Sequence, residues 1–230
     1  MPKAIDAATE TDALHQRLRE DIVTCRLAPG TRVSEAVLAE GYACGKAPVR
    51  AALARLRQEG WVRAEARKAT VIAPITLQDV HELYELRLLL EPAAARLAAG
   101  RIERRELSRL RALAKQRYLP GNARSTLEFL AANREFHLLV ATATKNSLLA
   151  RALADLLDRM TRVMHLGLGL RDRTRELRHD HQALLAALTR GDGSAAETLA
   201  RKEIEDSRRM VLEALTKADS LRALPLQLGG

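Results

Sequence analysis

Residues 45–62 read GKAPVRAALARLRQEGWV and carry the pattern of an amphipathic helix with a defined start and stop. Ala47 and Pro48 suit a first helical turn, where a missing N–H costs nothing. Val49, Leu53 and Leu56 recur at helical spacing and give an inner face. Lys46, Arg50, Arg55 and Arg57 lie off that stripe. Gly60 supplies a C-terminal stop, and Trp61–Val62 enter a strand. A helix that is apolar on one side and cationic on the other has two readings, a solvated surface helix or a helix that reads DNA.

The flanking residues favour the second. Asp12 to Arg26 forms a helix marked by Leu14, Leu18, Ile22 and Val23, with Asp12 as its cap. Pro29–Gly30 makes a turn, and Ser34 caps a short second helix that ends near Gly41. Beyond the 45–62 stretch, Trp61–Glu65 and the β-rich Thr70–Ala73 are separated by Ala66–Arg67–Lys68–Ala69, a hairpin with a basic tip. Three helices followed by a basic hairpin make a winged helix-turn-helix. In that arrangement the third helix enters the major groove and the wing approaches the backbone or minor groove. The segment Gly41–Lys46 lacks one spacer residue and the Ser/Thr of a phosphate loop, which removes that reading.

Composition points the same way. The chain has 230 residues, 38 Lys/Arg against 29 Asp/Glu and a net charge of +9, which favours polyanionic partners. Residues 43–75 alone hold seven Lys/Arg and two Glu, so the excess centres on the third helix and wing. Aromatic residues make up 3% of the chain, and Leu, Ala and other helix formers dominate, so the fold class is mostly α. Two cysteines, Cys25 and Cys44, are too few for a disulfide framework and lack zinc-site spacing. No signal core or 18-residue apolar span occurs, so the expectation is a cytoplasmic protein with no membrane association.

The stretch LAPGTRVSEAVLAEGYACGKAPVRAALARLRQEGWV resembles the DNA-binding domain of the GntR family of bacterial transcription regulators. Pro29–Gly30, Leu38–Ala39, Pro48–Val49–Arg50, Ala52–Leu53, Arg55–Leu56 and Glu59–Gly60 follow the family's order. The departures are as informative. Gly45 stands at the usual capping Ser, Lys46 at an Arg, Ala51 at a Glu and Ala69 at the wing glycine. Lys46 keeps the charge and loses bidentate guanine reading. Lys46 and Arg50 remain the base-edge candidates, Arg67 and Lys68 the wing phosphate contacts, and Arg55 a further DNA-binding residue on the third helix.

From residue 76 onward helical patterns recur at about 76–99, 103–117, 122–143, 146–167, 172–190 and 192–217. Short glycine- and proline-marked breaks join them, as in an antiparallel bundle. Residues 1–11 and 218–230 read as tails, 12–75 as the DNA-binding domain and 76–217 as the bundle. Polar residues fall inside the apolar stripes of the bundle: Arg87 and Glu91 on its first helix, Asn133 with His137, then His181, then Glu203. A buried polar group without a partner costs roughly 1–3 kcal/mol. These groups therefore have to meet one another, water, a ligand or a metal. Asn133, His137, His181 and Glu203 contain two imidazoles and a carboxylate, a set suited to a divalent metal such as Zn, Ni, Mn or Fe. His179, two residues from His181, points elsewhere.

The bundle also resembles the ligand-binding domain of the FCD subgroup, the FadR-like branch of GntR regulators. The landmarks are the Arg87–Glu91 helix, Phe136–His137, Lys145–Asn146, Asp180–His181 and Gly191–Asp192 with Ala195. Metal-binding members use an Asp, a His four residues later and two further His. His137 and His181 match directly, whereas Asn133 stands at the Asp and Glu203 at the last His. The resemblance implies a small carboxylate effector, with Arg87 at the ligand-facing arginine; an internal ion pair of Arg87 with Glu91 is the structural alternative. The expectation is a non-enzymatic, homodimeric regulator, in this family most often a repressor, that binds double-stranded DNA at a near-palindromic operator. Its rivals are a metal-dependent enzyme on the two-His, one-carboxylate set and a nonspecific architectural DNA binder.

Overall fold

The computed structural model of the chain describes residues 7–65, 70–168 and 174–216. The chain folds as two compact units, with the boundary between Thr76 and Leu77.

The first unit contains α1 (Ala7–Val23), β1 (Arg32–Val33), α2 (Glu35–Gly41), α3 (Lys46–Gln58), β2 (Val62–Ala64) and β3 (Thr70–Ile72). Leu14, Leu18 and Ile22 of α1 join Val49, Leu53 and Leu56 of α3 in one core with Trp61, Val62 and Ile72. Each fully buried aliphatic side chain in it contributes about 1.5–3 kcal/mol. α1 begins at Ala7, ahead of the residue expected to cap it, so Asp12 lies inside the helix.

Local chemistry fixes the helix ends. Ser34 accepts a hydrogen bond from the Val37 N–H at 3.2 Å and opens α2. α3 starts at Gly45, which makes no side-chain capping bond. It ends in a Schellman motif, with Trp61 N–H on Leu56 O at 2.8 Å and Gly60 N–H on Arg57 O at 3.1 Å. Gly60 has φ 78°, the left-handed geometry this stop requires. α2 closes in the same way through Cys44 N–H on Ala39 O and Ala43 N–H on Glu40 O, but here the left-handed position is Ala43, at φ 51°.

The sheet is antiparallel in the order β1-β3-β2. Val62 faces Ile72 and Ala64 faces Thr70 in the wing hairpin, while Arg32 faces Val71 across the other edge. The sequence gives no sign of β1, because two residues are too few to show an alternation. The wing tip, with Arg67, Lys68 and Ala69, lies outside the described residues.

Among its described residues the second unit contains helices and turns and no strand: α4 (Leu77–Ala98), α5 (Arg104–Leu113), α6 (Ala123–Ala143), α7 (Ser147–Leu168), α8 (Thr174–Arg190) and α9 (Gly193–Thr216). α4 packs against α6, α7 and α9, and α8 against α9. Asn122 caps α6 by accepting from the Ser125 N–H at 2.9 Å, and Glu103 with Glu106 forms a capping box on α5. Phe136, Leu184, Leu188, Ala196 and Ala200 belong to the main core. α9 begins tight against α4, since a Cβ on Gly193 would come within 3.0 Å of Arg96 O. No helix among the described residues is long and apolar enough to cross a membrane.

Candidate functional site

On α3 the buried stripe is Val49, Ala52, Leu53 and Leu56, and Lys46, Ala47, Arg50, Ala51, Ala54 and Arg57 are exposed. At 100° per residue, Lys46, Arg50 and Arg57 share one flank within about 40°, and Arg55 sits about half a turn from Lys46. Arg50 is not free in solvent. Its Nε donates to Glu35 Oε1 at 3.0 Å and its Nη2 to Glu35 Oε2 at 2.8 Å, a fork that links α3 to the first turn of α2. Arg50 is exposed and Glu35 half-buried, so the pair is a weak surface tether that a phosphate or base edge can displace. Arg55 pairs with Asp12 of α1 instead, on the opposite flank. Arg57 therefore lies closer to the Lys46–Arg50 flank than Arg55 does, and is the cation a helical-wheel count selects in its place.

In the bundle, four helices bring polar side chains to one buried point. Arg87 and Glu91 come from α4, His137 from α6, His181 from α8 and Glu203 from α9, and all five are buried. Arg87 Nε donates to Glu91 Oε1 at 2.5 Å, and Nη2 lies 3.3 Å from Oε2. That oxygen also lies 3.1 Å from His137 Nδ1. On the other side of the ring, His137 Nε2 is 3.3 Å from Glu203 Oε1, and His181 Nε2 is also 3.3 Å from it. The two Nε2 atoms are 3.4 Å apart. His181 stacks on Phe136 with centroids 4.3 Å apart and an interplanar angle of 16°. Glu203 Oε2 is buried without a hydrogen-bond partner among the described residues.

The electrostatics follow from this crowding. Burial alone would lower the His137 pKa, but the carboxylates of Glu203 and Glu91 outweigh it and take it up to about 9. Burial would raise Glu91, and the Arg87 guanidinium with His137 holds it down to about 2. Glu203 is likewise held well below the usual carboxylate range: burial would raise it, and His137 and His181 overcome that desolvation. A charged His137 between two carboxylates is thus the arrangement the protein groups adopt by themselves.

Three donor atoms with edges of 3.3–3.4 Å also match the donor spacing of a small metal site. Tetrahedral ligands about 2.0–2.1 Å from a zinc ion stand about 3.3–3.4 Å from one another. The donor set, the spacing and the unpartnered Glu203 oxygen all fit a divalent cation. Asn133, one turn before His137, is half-buried and lines the adjoining cavity with Arg87, Arg134, Thr161, Glu203 and Ser207. That cavity is large enough to hold water beside these polar groups. Nothing in the sequence singles out Arg134, which pairs with Asp158 of α7 at the cavity wall. Tyr84 Oη lies 2.8 Å from Ser207 Oγ. His179 is exposed and takes no part.

A three-helix unit with a wing and a cationic third helix, followed by a bundle with a buried polar site, defines a class of DNA-binding regulator. Comparison with known proteins makes this specific: residues 10–72 match the family of bacterial regulatory proteins named gntR, and residues 82–206 match the FCD domain. The chain belongs to the GntR family of transcription regulators and carries an FCD domain. It is 30% identical to the Nta operon transcriptional regulator of Aminobacter aminovorans, over 77% of this chain and 84% of that one. It is 25% identical to the HTH-type transcriptional repressor RspR of Escherichia coli, over 86% and 88%. The solved structure of E. coli McbR/YncC has the same fold, with a TM-score of 0.74 at 22% identity, over 89% of this chain and 97% of that one. The family is one of DNA-binding regulators, not enzymes.

Proposed function

We propose that the chain is a homodimeric repressor whose hold on a near-palindromic operator is set by a small carboxylate ligand, with a divalent cation in the bundle. The observation that carries this reading is the convergence of His137 Nε2, His181 Nε2 and Glu203 Oε1 beside a cavity lined by Arg87. His137, His181 and Glu203 would hold the cation, with Asn133 beside them. The cation would supply a fixed positive charge for an anionic ligand, and Arg87 a second one. Only two guanidinium protons of Arg87 are directed at Glu91, so donors remain for a carboxylate entering the cavity. A ligand that binds this cavity better in one of two conformations would supply the differential affinity on which an effector depends.

Dimerisation draws support from α4, which exposes Leu86, Leu89 and Leu97 along one face with Ala93 between them. A contiguous apolar helix face in solvent marks an interaction surface, and a second copy would also supply the second half-site reader of a palindrome. RspR, which is named a repressor, supports the sign of regulation.

The test is selection of genomic fragments by the purified protein, followed by competition against unrelated DNA. The expected result is one class of palindromic site, bound at least about 10³-fold more tightly than bulk DNA. Arg50→Ala should abolish that preference and leave weak, salt-sensitive binding. Uniform binding by the wild type would identify an architectural protein instead.

A further inference from the structure

The two imidazoles of the bundle site are held by different devices. His181 is fixed by a flat stack on Phe136, which is itself fully buried. His137 has no such stack; its ring meets Phe136 edge-on at an interplanar angle of 82°. What faces its rear nitrogen is Glu91, with Oε2 3.1 Å from Nδ1. Glu91 is in turn oriented by Arg87 one helical turn earlier, through the 2.5 Å contact on its other oxygen. A carboxylate behind Nδ1 keeps a proton on that nitrogen, so a cation would displace the proton of Nε2, the atom that faces Glu203 and His181, and take its lone pair.

Resting on the cation reading above, we infer that Glu91 is the positioning residue of the site. It sets the His137 tautomer and ring angle that bring Nε2 into the donor triangle, and ties them to the arginine that lines the ligand cavity. Carboxylate partners of this kind orient a ligating imidazole and increase its donor strength, and their loss typically costs 10–100-fold in metal affinity. Glu91 itself need not touch the cation. An anion that draws Arg87 toward the cavity releases one Glu91 oxygen, so the ligand and cation sites share one movable carboxylate.

The experiment titrates Zn(II) into metal-stripped, full-length protein against a competing chelator. In parallel, proton–nitrogen correlation spectra of the ¹⁵N-labelled wild type read the histidine tautomers. Glu91→Gln should weaken Zn(II) binding about 10–100-fold with one ion still bound, and zinc-loaded wild type should show His137 protonated at Nδ1. A folded Glu91→Gln protein that binds Zn(II) within twofold of wild type overturns the inference and leaves the cation reading intact. If the variant does not fold, the wild-type spectrum decides: a His137 protonated at Nε2 overturns the inference, and one protonated at Nδ1 sustains it. Wild type that takes up no Zn(II) refutes the cation reading, and this inference with it.

Discussion

At the scale of single residues, the bundle site is a balance of buried charges, and its pH response follows from their signs. The His137 pKa is raised from 6.5 to about 9, so its contribution to stability is complete below about 6.5 and is lost as pH rises through 9. The Glu91 pKa is lowered from 4.5 to about 2, so its contribution is complete above about 4.5 and is lost as pH falls toward 2. Urea unfolding in the presence of a chelator should therefore show greatest stability between about pH 4.5 and 6.5 and a decline toward pH 9, where His137→Ala should remove the alkaline decline. A flat profile from about pH 6 to 9 in the wild type would mean that His137 is neutral in the fold. Part of this site is visible in sequence, because His137, His181 and Glu203 interrupt apolar helical stripes where a polar group needs a partner. The Glu91–His137 contact is not. These two residues sit on different helices and are related by packing, which no spacing rule reports; the same holds for the Arg50–Glu35 fork.

At the scale of elements, the turn between α2 and α3 carries a residue that its backbone does not favour. Ala43 occupies the left-handed position of a Schellman motif at φ 51°, where an L side chain costs roughly 1–2 kcal/mol and glycine does not. Ala43→Gly should stabilise the first unit by about 1 kcal/mol or less, after the larger chain entropy of unfolded glycine is counted. A rise of a few degrees in its thermal midpoint would show this; a fall would mean that the Ala43 methyl makes a contact worth more than the strain. The exposed face of α4 makes a second element-level prediction. Leu89→Glu places a charge in the centre of the Leu86–Leu97 stripe, where Leu89 is 71% exposed. If the proposed dimer forms through this face, sedimentation should report a dimeric wild type and a monomeric variant, with weakened operator binding. A variant that remains dimeric would rule out this face. Helix limits are largely readable because Ser34, Gly60, Asn122 and Asp192 mark them chemically. The start of α1 is not, since Ala7–Thr11 are small or polar and hide a helical turn within what reads as a tail.

At the scale of the whole molecule, the chain joins a unit of the DNA-binding type to a unit with a buried charged site, and the proposed regulation requires coupling between them. The structure divides at residues 76–77, where a β-rich hairpin gives way in the sequence to helix-period stripes separated by glycine turns. The mode of coupling is not legible there, since a coupling free energy is a difference between two states and a sequence pattern describes one. Linkage still fixes what must be observed if the bundle controls the DNA reader: emptying the site has to change operator affinity, and operator binding has to change affinity at the site by the same factor. The direct measurement is the operator isotherm of zinc-loaded wild type beside that of the His181→Ala, Glu203→Ala double variant, at one fixed salt concentration. Midpoints should differ about 5–150-fold, with both proteins folded and dimeric. Superimposable isotherms would contradict control of the DNA reader by the bundle site.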